Sequence, residues 1–177
     1  MAEILAFAGS NSSTSINYEL VKYTASQIEN HNIQTLDMSK YPFPMYSSQE
    51  EKEKGFSNSL VEFRNYIQKA DGLILSVSEH NSNPSAYFKN VLDWLSRLER
   101  KFLENTSILL MSTSPGKRGG IGALGVVQEI LPRFGGNIVS TFSLPSFGEA
   151  FSNGEIVDSS LKQQHLEALN DFLQKLN

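Results

Sequence analysis

The segment Gly9-Ser10-Asn11-Ser12-Ser13-Thr14-Ser15-Ile16-Asn17 carries hydroxyl or amide side chains at seven of its nine positions. It stands between a short apolar run and the first helical repeat, where a helix leaves its first N–H groups unpaired and its dipole favours negative charge. Short neutral donors in that place can surround a phosphate monoester at close range. A cap-and-turn segment is the plainer alternative, but one or two such residues would meet a cap's needs. The segment does not end in Gly-Lys-Ser/Thr, and it lacks the second and third glycines of a dinucleotide fingerprint. Gly9 is read as easing a tight exit from the strand.

Two further polar segments follow apolar runs in the same way. One begins Ser78-Glu79-His80-Asn81-Ser82. The other reads Ser112-Thr113-Ser114-Pro115-Gly116-Lys117-Arg118-Gly119-Gly120-Ile121-Gly122. Residues 4–8 form the unbroken apolar run of a strand buried on both faces, residues 73–77 read as another buried strand, and residues 33–36, 108–111 and 138–142 read as the remaining strands. Between them, Ile16/Leu20/Val21/Thr24/Ile28, Leu60/Phe63/Ile67, Val91/Leu92/Leu95/Leu98 and Leu124/Val127/Ile130/Leu131 recur at helical spacing. Leu161, Leu166, Leu169, Phe172 and Leu176 continue the pattern, with Asp158 or Ser159 as its cap.

Ser59-Leu60-Val61-Glu62 has the spacing of a capping box. The prolines of Tyr41-Pro42-Phe43-Pro44-Met45-Tyr46 exclude a regular helix there. Residues 50–54 read as a solvated charged face.

Five strands alternating with five helices predict an α/β fold: a three-layer sandwich with a five-stranded parallel sheet of order 2-1-3-4-5 and helices on both faces. This is the flavodoxin-like arrangement, and its ligands bind where the strand order reverses, beside the loop after strand 1. With no internal repeat or dividing linker, residues 1–177 read as one domain.

Composition sets the outer limits. Hydrophobic residues at 40% and charged residues at 19% suit a packed chain. A net charge of −4 provides no basic footprint for nucleic acid. No apolar run approaches the roughly 20 residues of a membrane span. The absence of cysteine excludes disulfides and thiol chemistry. No basic region precedes the first apolar run, so a secretory signal is not expected, and a cytoplasmic location is.

The segment after strand 3 continues Asn83-Pro84-Ser85-Ala86-Tyr87-Phe88-Lys89-Asn90-Val91-Leu92-Asp93-Trp94. With Glu79, Asn81, Phe88-Lys89-Asn90 and Asp93-Trp94 in register, and with Gly9, Ser10, Ser15 and Asn17 before them, the chain resembles the NADPH-dependent FMN reductase family. That group is flavodoxin-like and includes azo- and quinone-reducing members. The resemblance spans nearly the whole chain, and Lys-Asn…Asp-Trp is its most specific part. It departs at Ser12, where the family often has Arg, at His80 and Ser78 in place of Tyr and Pro, and at Ser85-Ala86 in place of Pro-Gly.

The resemblance implies FMN as cofactor, NADPH or NADH as co-substrate, and a small-molecule electron acceptor such as a quinone, azo compound, free flavin or metal complex. It also implies a homodimer or homotetramer. Tyr87, Phe88, Trp94 and Leu98 would suit such an interface, or equally a core helix. The expected FMN contacts are Ser10, Ser12, Ser15, Ile16 and Asn17 for the phosphate, and Ser78, Glu79, His80, Asn81 and Ser82 after strand 3. Thr113, Ser114, Pro115, Gly116, Gly119 and Gly120 are expected beside the ring's O2 and N1, where backbone N–H groups can approach.

A flavin accepts hydride itself, so no side-chain acid or base is required. His31 and His165 are assigned no catalytic part, and His80 is the one histidine placed to touch flavin or substrate. Glu79 is read as orienting a neighbouring loop. Lys117 and Arg118 either meet an NADPH phosphate or are solvated. Residues 112–116 include no aromatic side chain, which leaves a ring face open for a nicotinamide and favours a two-electron oxidoreductase. A one-electron carrier and a non-enzymatic phosphate-ligand or partner-binding protein are the alternatives on the same scaffold.

Overall fold

Alternation of side chains across the strands divides the apolar residues between two cores. In β1 (Glu3–Gly9), Leu5 and Phe7 join one cluster, while Ile4, Ala6 and Ala8 join the other. The computed structural model describes residues 1–176. Its main sheet is five-stranded and parallel, in the order β2-β1-β3-β6-β7. These strands are β1, β2 (Asn32–Leu36), β3 (Gly72–Val77), β6 (Ser107–Thr113) and β7 (Asn137–Leu144). Counted along the main sheet alone, that is the expected order 2-1-3-4-5.

Helices α1 (Ile16–Ser26) and α7 (Ser159–Leu176) cover one face. Helices α3 (Asn58–Lys69), α4 (Ala86–Leu98) and α5 (Ile121–Ile130) cover the other. The fold is therefore the expected flavodoxin-like sandwich. Among the described residues, no helix is long and apolar enough to cross a membrane.

Several local elements differ from expectation. The charged stretch is a short exposed helix, α2 (Ser48–Lys54), capped by Ser47. Its Glu50 and Glu51 sit in the first turn and Lys52 and Lys54 in the last, as the dipole prefers. A single turn, α6 (Phe147–Ala150), is also additional.

The cap of α3 is Ser57, whose hydroxyl accepts from Leu60 N, and not Ser59. Glu62, the other half of the expected capping box, accepts from Tyr66 Oη instead. At α7 the cap is Asp158, whose carboxylate accepts from Leu161 N.

Two antiparallel pairs were not anticipated: β4 (Glu79–His80) with β5 (Asn83–Pro84), and β8 (Phe151–Ser152) with β9 (Glu155–Ile156). Asn81 and Ser82 turn the first with φ of 53° and 62°, and Asn153-Gly154 turn the second with φ of 51° and 83°. Asn-Gly is a strong hairpin signal, so the second pair was legible.

Candidate functional site

The carboxyl ends of β1 and β3 meet at the position where the strand order reverses, and polar side chains tie them together. The hydroxyls of Ser78 and Ser85 both donate to Gly9 O, at 3.0 and 2.8 Å. Ser85 also accepts from Phe88 N and so caps α4. Gly9 serves a purpose other than the expected tight turn: a Cβ there would lie 2.8 Å from Phe88 Cδ2, so only glycine lets this ring close the core.

Ser15 caps α1, its hydroxyl accepting from Tyr18 N at 3.2 Å. The next two backbone donors, Ile16 N and Asn17 N, have no partner among the described residues. Around them Ser12, Ser13 and Thr14 are exposed and Ser10 is half-buried. Ser10 and Ser12 accept from the backbone of Ser12 and Thr14, both at 3.3 Å, which curls the loop over the helix start. Neutral donors thus gather at the positive end of a helix dipole, a setting that favours an anion.

Asn17 departs from its expected role. Its side chain is buried and turned into the sheet: Oδ1 accepts from Ser76 Oγ at 2.7 Å and Thr113 N at 3.1 Å, and Nδ2 donates to Thr113 O at 3.2 Å. One amide thus joins the start of α1 to the ends of β3 and β6, and only the backbone N–H of Asn17 is left without a partner among the described residues. Thr113 is likewise internal, its hydroxyl donating to Leu144 O at 2.8 Å.

Gly119 and Gly120 are buried beneath the third loop and not displayed on it. Gly119 has φ of 60°, and its carbonyl accepts from Ser112 Oγ and Ser143 Oγ. What the loop presents is half-buried Ser114 and exposed Pro115, Gly116, Lys117 and Arg118. The N–H groups of Lys117 and Arg118 have no partner, and neither side chain is in an ion pair, among the described residues.

Glu79 holds the second loop against the third. Its carboxylate accepts from Ala123 N at 3.0 Å in the first turn of α5. This is the orienting role expected of it. His80, Asn81 and Ser82 are exposed on the hairpin.

A cleft of about 400 Å³ opens between these parts. Ser10, Asn11 and Ser12 of the first loop, Phe43 and Met45 of the proline-flanked segment, and His80, Ser85 and Tyr87 line it. Of the expected site residues, Ser10, Ser12 and His80 meet there, while residues 113–120 do not line it. Phe43, Met45, Ser85, Tyr87 and Asn90 were missed. The proline-flanked sequence hinted at an extended strap, but nothing in it placed that strap beside the first loop.

The strap is fastened by the most specific motif of the resemblance. Asn90 Oδ1 accepts from Tyr46 N at 2.7 Å, and Asn90 Nδ2 and Trp94 Nε1 donate to Pro44 O at 3.0 and 2.8 Å. Tyr87 Oη lies 2.9 Å from Tyr41 O, and burial pushes this phenol's pKa well above its ordinary value. Phe88 and Trp94 are buried in the core, as the core reading of this helix has it, while Tyr87 and Leu98 are half-buried. Lys89 and Asp93 pair with each other at the surface, 2.7 Å apart.

His165 is fully buried on α7, far from the cleft in sequence and on the opposite face of the sheet. Thr24 Oγ1 donates to Leu20 O, so His165 Nε2 donates to Thr24 Oγ1 across 2.8 Å. Burial holds the ring to a pKa of about 4, and it is neutral.

The sequence pattern of the NADPH-dependent FMN reductases matches residues 2–149. The chain belongs to that family. It is an NAD(P)H-dependent oxidoreductase of the FMN reductase type. A quinone reductase of Escherichia coli is 28% identical over 143 residues, covering 75% of this chain and 74% of that protein. An NADPH:quinone oxidoreductase of Arabidopsis thaliana is 27% identical over 182 residues, covering 96% and 89%. In fold, the chain is similar to the flavoenzyme NAD(P)H:(acceptor) oxidoreductase FerB of Paracoccus denitrificans. Their TM-score is 0.80 at 19% identity, covering 99% of this chain and 97% of that one.

Proposed function

We propose that this FMN reductase family member binds FMN, with its phosphate on the first loop, and passes electrons from NADPH or NADH to a quinone, azo compound, free flavin or metal acceptor. The observation that carries the reading is the pair of free donors, Ile16 N and Asn17 N, at the end of the hydroxyl-rich loop whose Ser10 and Ser12 line the cleft. These residues fit a phosphate dianion: the helix end supplies partial positive charge and the loop supplies hydroxyl donors, so the Arg that many relatives carry is dispensable.

Bound FMN supplies the hydride-accepting centre. The protein's own residues hold the loops at fixed separation. Ser78 and Ser85 lock the first loop to the second through Gly9 O, Glu79 locks the second to α5, and Asn17 locks the first to the third. The free N–H groups of Lys117 and Arg118 are suited to a site where negative charge develops, and their side chains to the phosphates of the dinucleotide. Residues 114–120 carry no aromatic side chain, which favours an open face for the nicotinamide over the shielded ring of a one-electron carrier.

The test is direct. FMN-loaded protein mixed anaerobically with NADPH or NADH should lose its flavin absorbance; an unchanged spectrum with both refutes the reading. We further propose assembly into a homodimer or homotetramer, which light scattering on the purified protein checks.

A further inference from the structure

Met45 is the one large apolar side chain of the cleft that stands mainly in solvent, at 70% exposure. A single exposed apolar side chain is ordinary on a protein surface. Here the chain is pinned on both sides. Pro44 O is held by Trp94 Nε1 and Asn90 Nδ2, and Tyr46 N by Asn90 Oδ1. The ring of Tyr46 packs edge-on against Trp94 at 5.1 Å, and its hydroxyl donates to Glu51.

The two residues flanking Met45 are thus bound to one helix, α4, and the thioether between them is left facing the cleft. The other methionines within the chain, Met38 and Met111, are buried. The three hydrogen bonds that fasten the strap also fix the backbone on both sides of Met45, so its thioether is presented to the cleft from a fixed position.

We infer that Met45 is a contact for the electron acceptor, and that it selects flat, neutral aromatic or quinoid molecules. A thioether is polarizable and packs favourably against an aromatic ring or its edge. With Phe43, Met45 gives the cleft an apolar lining supplied by the strap, alongside the hydroxyl-bearing Ser10 and Ser12. A flat acceptor entering there exchanges water for sulfur and carbon along the strap, and keeps its carbonyl edges toward polar groups. A hydrated anionic acceptor gains nothing from the same wall. The inference rests on the flavin reading, since the acceptor must come within reach of bound FMN.

The experiment uses FMN-loaded protein in its oxidised form, without a nicotinamide, so that no turnover occurs. Menadione, a neutral naphthoquinone, is titrated calorimetrically into the parent protein and into the Met45→Ser and Met45→Leu variants. Serine should weaken menadione binding roughly two- to tenfold, the range that thioether–aromatic contacts span, and leucine should weaken it less. The FMN dissociation constant, read from quenching of flavin fluorescence, should be the same in all three.

Equal menadione affinity in the parent protein and Met45→Ser overturns the inference. So does a matching loss of FMN affinity, which would place Met45 in the flavin seat. A parent protein that takes up no FMN refutes the flavin reading itself, a result distinct from either.

Discussion

Replacing Asn17 by alanine probes whether the site is held together from inside. The amide makes three hydrogen bonds, to Ser76 Oγ, Thr113 N and Thr113 O, and all lie in buried surroundings. The Ser76 hydroxyl can turn toward another acceptor, but the two Thr113 backbone groups cannot move without breaking the register of β6. Each buried backbone group left without a partner costs about 1–3 kcal/mol, so the substitution should cost about 2–6 kcal/mol. Against a usual domain stability of about 5–15 kcal/mol, that is a large fraction.

The assay is urea unfolding of the flavin-free protein, followed by far-UV circular dichroism. The midpoint should fall sharply with little change in slope. Asn17→Asp is the informative partner: it keeps an acceptor for Ser76 and Thr113 N but turns an oxygen toward Thr113 O, so most of the loss should persist. A loss below about 1 kcal/mol in Asn17→Ala would refute the claim that this amide joins the strand ends.

Ile16→Pro removes one free N–H at the first helical position, where proline is tolerated and Ser15 already has the extended backbone that proline requires. FMN affinity, read by fluorescence quenching, should fall roughly tenfold with the fold intact, and unaltered affinity would remove Ile16 N from the phosphate seat. Gly9→Ala drives a Cβ to 2.8 Å from the Phe88 ring and should cost about 1–3 kcal/mol in thermal or urea melts.

Acid stability should track His165, whose pKa is near 4 in the folded chain against 6.5 for the free side chain. Between those values the unfolded chain binds the proton and the folded chain does not. This contribution is therefore complete above about pH 6.5 and falls through the window to about pH 4, by on the order of 3 kcal/mol. Urea midpoints at about pH 7.5 and about pH 5 should differ less in His165→Leu than in the parent, and an equal difference would assign the acid sensitivity elsewhere.

Much of this protein was legible in its sequence because the deciding forces are local. Apolar runs at residues 4–8, 73–77 and 108–111 and helical repeats between them dictate a doubly wound parallel sheet, since each element must bury its apolar side against a neighbour. The donors at the start of α1 were equally legible, because any helix leaves them free. The cap of α3 was misplaced by two residues, because Ser57 and Ser59 are both competent and only the backbone path chooses between them.

Tertiary structure alone decided which polar side chains remain available to a ligand. Asn17 and Thr113 have the right chemistry for a cofactor contact, yet partners 59 and 96 residues from Asn17 claim its amide. The strap that walls the cleft is likewise placed by Asn90 and Trp94, which reach it across 44 and 50 residues. A hydroxyl or amide is a ligand contact only when no interior group has engaged it first. That competition is settled by long-range register, to which residue type and spacing are blind.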